Sequence, residues 1–519
     1  MKKALIIFAL TLLTTLFVSY FAFADGITVI VNGTTVTFDG QGPVIIDGRT
    51  LVPIRGVFEQ MGFDVDWDEN TRQATLTRAD DVIIITIDSS IFTTNDTNRT
   101  LDVPAQIIGG RTLVPLRAVL ESVGYSLEWD GDARTVVVSY GVGEIPEYIT
   151  IRGMQYSTDM TGLWLFSNEL TNEDIQPLRY MVNLTLLDLR ENQISDLTPL
   201  SGLTRLTDLS LNNNQISDLT PLAGLANLTR LCLWQNQIID LTTLTNLTNL
   251  RILSLDNNQI HDLTPLSDLT NLTELSLGYN HHIRDLTTLS KLINLNSLHL
   301  SNLQISDLTF LSELVNLTRL ELINNQVRDL IPLSGLINLR YVWLSGNPIS
   351  DLTPLSNLTN LKHLVFDDNQ ISNLEPLAEL NNLVKLFLHG NQISNLNPLA
   401  GLTNLTHLGL GINKISYLTP LSSLTNLESL LLEHNQINDL TPLSDLTNLT
   451  ELSLNHNQII NLTPLSDLTN LMWLSLWNNH ISDLTPLSSL TNFEILDLQN
   501  NPITDWSPVA HIENVGGRP

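Results

Sequence analysis

The chain has a single cysteine, Cys232, in 519 residues. No internal disulfide framework is available, so packing must supply stability, and Cys232 reads as a small side chain without a redox role. Charge is sparse as well: Asp, Glu, Lys and Arg make up 15% of the residues, below the usual quarter. Basic residues are the scarcest, 25 Lys and Arg against 54 Asp and Glu, for a net charge of −29. A chain of that sign does not track phosphate backbones, so nucleic acid is not an expected partner, nor does charge alone hold it to anionic lipid. Histidine is absent before His261. No nucleophile, metal-ligand set or acid–base cluster stands out, so neither enzymatic activity nor a cofactor is expected.

Apolar runs of membrane-spanning length are missing after the first two dozen residues. Residues 1–24 read as a secretory signal: Lys2 and Lys3 start it, an apolar run follows from Ala4, and Ala22-Phe23-Ala24 supplies a small-x-small cleavage site. An uncleaved anchor is the alternative reading of that stretch. With cleavage, no transmembrane segment is expected in the mature protein. The ending Val515-Gly516-Gly517-Arg518-Pro519 has no Leu-Pro-x-Thr-Gly sorting motif, so surface retention is expected to be noncovalent and N-terminal.

What the chain does have is repetition, of two kinds. Residues 25–142 contain one device twice. Ile27–Val31, Asn32-Gly33 and Thr35–Phe38 suggest a hairpin with a tight turn. Gly48-Arg49-Thr50-Leu51-Val52-Pro53-Ile54-Arg55 then leads into a short helix whose Ile54, Val57, Phe58 and Met61 form one apolar stripe. Gly62 ends that helix, and Trp67 follows in a strand-like stretch. Gly110-Arg111-Thr112-Leu113-Val114-Pro115-Leu116-Arg117 repeats the motif, with Leu116, Val119, Leu120 and Val123 as its stripe, Gly124 as its stop and Trp129 as its tryptophan. Arg55 with Glu59, and Arg117 with Glu121, have the spacing of solvent-facing helix pairs. The duplicated stretch resembles the N-terminal domain of copper amine oxidases, which is widespread on secreted proteins of Gram-positive bacteria. The resemblance does not imply amine oxidation. Copper there needs imidazole ligands, which this region lacks, and the oxidases' quinone arises from a Tyr in an Asn-x-Tyr setting, which no tyrosine here has.

Residues 143–519 change period to about 22. The unit is Leu-x-x-Leu-x-Leu-x-x-Asn-x-Ile followed by Ser-Asp-Leu-Thr-Pro-Leu-Ser-x-Leu-Thr-Asn. Leu206, Leu209, Leu211, Asn214 and Ile216, then Leu219, Pro221, Leu222 and Leu225, make up one instance. About sixteen units are expected, the first near Ile149–Leu170 and a last closing turn carrying Trp506, Val509 and Ile512. In each, Leu-x-Leu makes a short strand with both leucines inward. The Asn side chain satisfies backbone groups in the turn, and stacked units make a ladder of it. Thr is expected to cap a 3₁₀ or single helical turn with Pro at its first position. Two irregularities interrupt the series: His281-His282 adds a residue, and Leu303 replaces the ladder Asn. The pattern is a leucine-rich repeat, and its wording resembles bacterial internalins. The expected fold is an α/β solenoid, with a parallel sheet on the concave face and short turns on the convex face, preceded by a small α+β domain. The resemblance implies recognition of a protein partner through the concave sheet.

Residues between the leucines form columns on that face. Large aromatic side chains at such places are typical anchors, so Trp234, Tyr279, Tyr341, Trp343, His363, Phe387, Trp473 and Trp477 are the expected ligand-binding residues. Tyr341, Trp343, His363 and Phe387 come from three successive units, and Trp473 with Trp477 forms a second candidate patch. His299, His389, His407, His434 and His456 gather on the same face. They lack a convincing third donor for a metal, so polar surface with a pH-sensitive contact is the expected role. Recurring aspartates such as Asp196, Asp218, Asp240, Asp262, Asp307 and Asp351 are expected to hold turns rather than calcium. The chain thus reads as a secreted or cell-surface protein that binds a protein ligand, retained noncovalently on a Gram-positive-type cell. The alternative is an envelope protein whose N-terminal domain binds wall polysaccharide while the repeats act as spacer.

Overall fold

The computed structural model describes residues 26–31, 34–78, 81–131, 133–140 and 145–518. The leader expected over 1–24 and the Asn32-Gly33 turn lie outside these. The chain forms two compact units. The first reaches Thr158 and takes in Pro177–Val182 and Pro199–Leu203; the second holds Asp159–Gln176, Asn183–Thr198 and the chain from Thr204 onward.

In the first unit, β1 (Thr28–Val31) pairs with β2 (Thr34–Thr35). Hairpin β3 (Val44–Ile46) and β4 (Arg49–Pro53) leads into helix α1 (Ile54–Gln60). Strands β5 (Asp64–Asp68), β6 (Gln73–Arg78), β7 (Asp81–Thr86), β8 (Ile91–Thr94) and β9 (Thr97–Thr100) form one antiparallel sheet. The second copy supplies hairpin β10 (Gln106–Ile108) and β11 (Arg111–Pro115), helix α2 (Leu116–Glu121), β12 (Tyr125–Asp130) and β13 (Thr135–Tyr140). Both helical stripes are buried as expected: Ile54, Val57, Phe58 and Met61 from one copy, Leu116, Val119, Leu120 and Val123 from the other. Gly62, at φ +79°, takes the left-handed position that stops α1. The two helix ion pairs are exposed, Arg55–Glu59 at 3.5 Å and Arg117–Glu121 at 3.9 Å.

The copies join strand to strand. β4 and β11 run antiparallel with Val52 opposite Val114, Leu51 opposite Pro115 and Pro53 opposite Leu113. Equivalent residues thus exchange places across that seam, a local twofold relation. It does not extend to the flanking sheets, where β6 pairs with β7 antiparallel while β13 pairs with β1 in parallel. β14 (Tyr148–Ile151) and β15 (Met154–Ser157) form a separate hairpin. Among the described residues no helix is long and apolar enough to cross a membrane.

The second unit contains a 17-stranded sheet, β16 (Gly162–Trp164) to β32 (Val515–Gly516), in which every strand neighbours the next in sequence order. All of these pairings are parallel, from β16 with β17 (Leu186–Asp188) onward. Each strand up to the last, which has two residues, is three residues centred on the first leucine of Leu-x-Leu, or on Val342 in Tyr341–Trp343. In Asp208–Ser210 the central Leu209 is fully buried, as is Leu211 just beyond. On the other side Leu222, Leu225 and Leu228 close the same core. Burying one such side chain contributes about 1.5–3 kcal/mol, so each turn of the solenoid is held mainly by its leucines.

Hydrogen bonds set the register. Asn214 Nδ2 donates to the Leu189 carbonyl of the preceding unit at 3.0 Å and to its own Leu211 carbonyl at 3.1 Å. Its Oδ1 accepts from the Ile194 N–H of that preceding unit at 3.0 Å. The pattern recurs at Asn236, Asn347, Asn391 and Asn457, all buried. A second, exposed ladder went unread in the sequence. The Asn of Leu-Thr-Asn reaches back one unit, as in Asn227 to the Thr204 carbonyl (2.8 Å) and Asn492 to the Thr469 carbonyl (2.8 Å).

The turn cap differs from expectation. Thr220 opens a 3₁₀ turn with Pro221 at its start, but no side chain caps from the preceding Leu219, and Thr is not the cap. Asp218 Oδ1 accepts the Thr220 N–H at 2.8 Å, and Asp262, Asp351, Asp439 and Asp483 repeat this. A carboxylate satisfies an orphan N–H more strongly than a hydroxyl does, which is why the aspartates recur.

The two irregularities form one device. Where Asn280 Oδ1 accepts the Ile260 N–H, the next unit offers only Leu303. The Ile283 N–H turns to the Asn280 carbonyl at 3.1 Å instead, a bond reached through the extra residue at His281-His282. Asn325 Oδ1 then accepts from both Leu303 and Ile305, each at 3.0 Å.

Asn347→Ala strips partners from the buried Leu322 and Leu344 carbonyls and the Val327 N–H. It is expected to cost about 2–4 kcal/mol of stability, and Asn404→Ala on the exposed ladder less than about 1 kcal/mol, in urea titrations followed by circular dichroism. The bonds from Thr353, Thr441 and Thr485 hold the Asp351, Asp439 and Asp483 carboxyls below their ordinary pKa. Their stabilisation is therefore complete above the ordinary carboxylate range and is lost as the pH falls through the depressed folded values. A triple Asp→Asn variant at these positions keeps a neutral acceptor, so its melting temperature is expected to fall less steeply on acidification than that of the native chain.

Candidate binding face

On the sheet face, the residues flanking each buried central leucine make two columns, and two more residues continue past each strand. Tyr341 and Trp343 flank Val342 on one strand, His363 and Val365 flank Leu364 on the next, and Lys385 and Phe387 flank Leu386 on the third. Registers put Tyr341 beside His363 and Lys385, and Trp343 beside Val365 and Phe387. Tyr341 and Trp343 lie parallel with centroids 6.1 Å apart, and His363 meets Tyr341 edge-on at 4.9 Å. Phe387 leans over Gly409, where an added Cβ would come within 2.6 Å of its ring. The four expected residues therefore lie together, all half-buried.

Trp473 stands on a strand of its own, and the remaining aromatic residues sit elsewhere than the strand columns. Trp234 and Trp477 lie just past their strands. Trp234 places its indole nitrogen 3.1 Å from the Asn212 side-chain amide, and Trp477 meets His456 edge-on at 4.1 Å. Tyr279 occupies the turn position before the ladder Asn, at φ 62°, where the backbone leaves the sheet. His434 and His456 share that turn column at φ 55° and 51° and stack at 3.9 Å.

Cations gather where the aromatic residues do, a feature missed in the sequence. Arg319, Arg340, Lys362 and Lys385 come from four successive units. Arg319 lies 4.7 Å over Trp343 and pairs with Glu321 at 2.7 Å, while Arg340, Lys362 and Lys385 have no carboxylate partner among the described residues. Burial and then the nearby charges, Lys385 foremost among them, hold His363 and His407 below the ordinary histidine value. Arg319 and Lys385 share the register of Tyr341 and His363, while Arg340 and Lys362 stand one residue before their strands; basic residues in consecutive repeats were the available signal.

Two carboxylate–histidine groups flank this patch. Gly278 leaves room for Asp256 to meet His299 Nδ1 at 2.8 Å, and Asp256 also accepts the Gly278 N–H and the Ser276 hydroxyl. Burial works against the His299 charge, but Asp256 and then Glu321 outweigh it and raise its pKa. Across Gly411, Glu433 meets His389 Nδ1 at 3.2 Å, while Asp367 accepts the His389 backbone N–H. Burial raises the Asp367 pKa against that bond. No three His, Cys, Asp or Glu among the described residues are grouped to hold a metal ion. Cys232 is buried, which pushes its thiol pKa up. A cleft of about 1000 Å³ follows the exposed Asn ladder from Asn382 to Asn492.

A sequential parallel sheet joined by Asn-laddered turns defines a leucine-rich-repeat solenoid, a protein-binding fold. Leucine-rich-repeat family matches cover residues 182–224, 226–268, 315–357, 337–379, 359–401, 381–423, 425–470 and 469–511, and the copper amine oxidase N-terminal domain family matches 30–138. Among solved structures, an internalin (InlF) of Listeria monocytogenes is 30% identical over 71% of this chain and 90% of its own, with a TM-score of 0.41. A leucine-rich-repeat protein of Leptospira interrogans is 26% identical over 62% and 92%, with a TM-score of 0.57. The functional domain of InlJ from Listeria monocytogenes is 25% identical over 67% and 76%, with a TM-score of 0.55. No curated protein sequence matches. The chain belongs to the leucine-rich-repeat proteins, is internalin-like, and carries a copper amine oxidase N-terminal domain ahead of its repeats.

Replacing Asp256 by Asn removes the charge that raises the His299 pKa. The His299 pKa is expected to drop, read by NMR titration of its ring protons, with a smaller drop for Glu321→Gln.

Proposed function

We propose that the chain is a non-enzymatic, secreted or cell-surface protein that holds a protein partner on the sheet face of its solenoid, centred on Tyr341, Trp343, His363 and Phe387. The observation that carries this reading is the meeting of half-exposed aromatic rings with the cations Arg319 and Lys385 on one stretch of sheet. Rings of this kind bury large area at low entropic cost, and a desolvated centre with a charged rim is the usual anatomy of a binding hot spot. Arg319 and Lys385 stand in this register in a chain of net charge −29, with Arg340 and Lys362 at its border, so the facing partner surface is acidic. Trp473 with Trp477, Trp234 and Tyr279 are peripheral contacts. The protein is expected to work outside the cell and to remain there noncovalently.

A photo-crosslinking residue at position 343 tests the reading, with one at Ser312 in a turn as control, in the full chain presented to extracellular protein of the native environment. The expected result is a discrete protein adduct from position 343, absent from 312 and abolished by adding Phe387→Ala. Equal adducts from both positions, or none, would sink it.

A further inference from the structure

We infer that the N-terminal unit carries two equivalent polysaccharide-binding clefts, each assembled from both copies of the duplicated motif. The first, about 510 Å³, is lined by Arg55 and Trp67 of the first copy and by Ile107 and Arg111 of the second. The second, about 430 Å³, is lined by Arg117 and Trp129 of the second copy and by Ile45 and Arg49 of the first. Each of these four residues has its counterpart in the other cleft at one constant offset along the chain. The seam between β4 and β11 produces this exchange. With Val52 opposite Val114, the helix arginine that follows each Pro is carried toward the hairpin turn of the other copy.

A single exposed Trp or Ile on a surface needs no explanation. Here the same exposed pair occurs twice: Trp67 at 38% with Ile107 at 47%, and Trp129 at 43% with Ile45 at 50%. Each tryptophan lines a concave site together with arginines of both copies, and the first site adds Arg72, paired with Asp88 at 3.1 Å. The charged groups in each cleft are mixed in sign, with Asp66 and Glu69 in the first and Asp102 and Glu128 in the second. Arg49 pairs with Asp102 at 2.7 Å, and Arg111 donates to the Asp39 carbonyl at 3.0 Å, so both forks are held in place.

A flat indole face beside fixed donors and acceptors suits a sugar ring. Its C–H face covers the indole, and its hydroxyls, each donor and acceptor at once, bond to guanidinium and carboxylate. A polyanion would call for a cleft of one sign, which neither is. Two like clefts on one unit suit a polymer of repeating units, where the second contact is intramolecular and multiplies a weak first one.

The test uses the full chain, co-sedimented with peptidoglycan sacculi, chitin and cellulose. At least one of these glycans is expected to retain the native protein. Trp67→Ala or Trp129→Ala should weaken retention about tenfold and the pair about a hundredfold or more, while Trp343→Ala changes nothing. Arg49→Glu with Arg111→Glu, two exposed changes, should reproduce the loss if the paired tryptophan variant folds poorly. Failure of every glycan to retain the native chain overturns the inference, as does retention that survives both paired variants. Neither result bears on the sheet-face reading, which the crosslink at position 343 decides separately.

Discussion

The asparagine that ends each Leu-x-x-Leu-x-Leu-x-x-Asn segment is the constraint on which the solenoid depends. Leucine burial supplies most of the stability but is indifferent to register. One side chain that binds its own unit and the preceding one at once is not. Asn347 reaches Leu322 one unit back and Leu344 in its own, and accepts the Val327 N–H. A slipped unit leaves all of these buried groups without partners, a cost well above the net worth of a single hydrogen bond. The columns on the sheet face inherit their order from that constraint. Trp343 stands beside Val365 and then Phe387 because the ladder behind them permits no other alignment.

The architecture was legible because each position of the repeat has one physical task, performed again and again. The strand leucines, the ladder Asn and the 3₁₀ turn at Thr-Pro-Leu follow from residue type and spacing, and so do both apolar stripes of the N-terminal helices. The turn cap was misassigned because Thr at the head of a helix is the commoner arrangement, whereas a three-residue turn leaves Asp218 nearer the orphan N–H. The exposed Asn ladder was invisible because its bonds join residues about one unit apart, and only the stacking geometry brings Asn227 to Thr204.

The aromatic patch was partly legible for a related reason. Repeat period places Tyr341, Trp343, His363 and Phe387 on one face but does not say where a strand ends. Tyr279 and His434 share the spacing of face residues, yet they stand where the backbone has already turned left-handed. The cations escaped notice singly because each is one basic residue in an acidic chain. Their meaning lies in adjacency across strands, which becomes visible once Arg319, Tyr341, His363 and Lys385 are seen in one register.

The joint at Leu303 has a mechanical consequence. The buried ladder runs from Asn192 to Asn280, stops, and resumes from Asn325 to Asn501, so the stack is two continuous blocks meeting at one seam. Across that seam the strands centred on Leu275 and Leu298 still pair and Asn294 of the exposed ladder still reaches the Thr270 carbonyl, but no buried asparagine pins one to the other. Tension on the ends of the chain concentrates its effect there, because neighbouring repeats elsewhere share the buried asparagine's bonds in addition to the exposed ones. The aromatic and basic patch lies wholly in the longer block. A pull that parts the seam leaves that surface intact, as one continuous piece, while the chain before it gives.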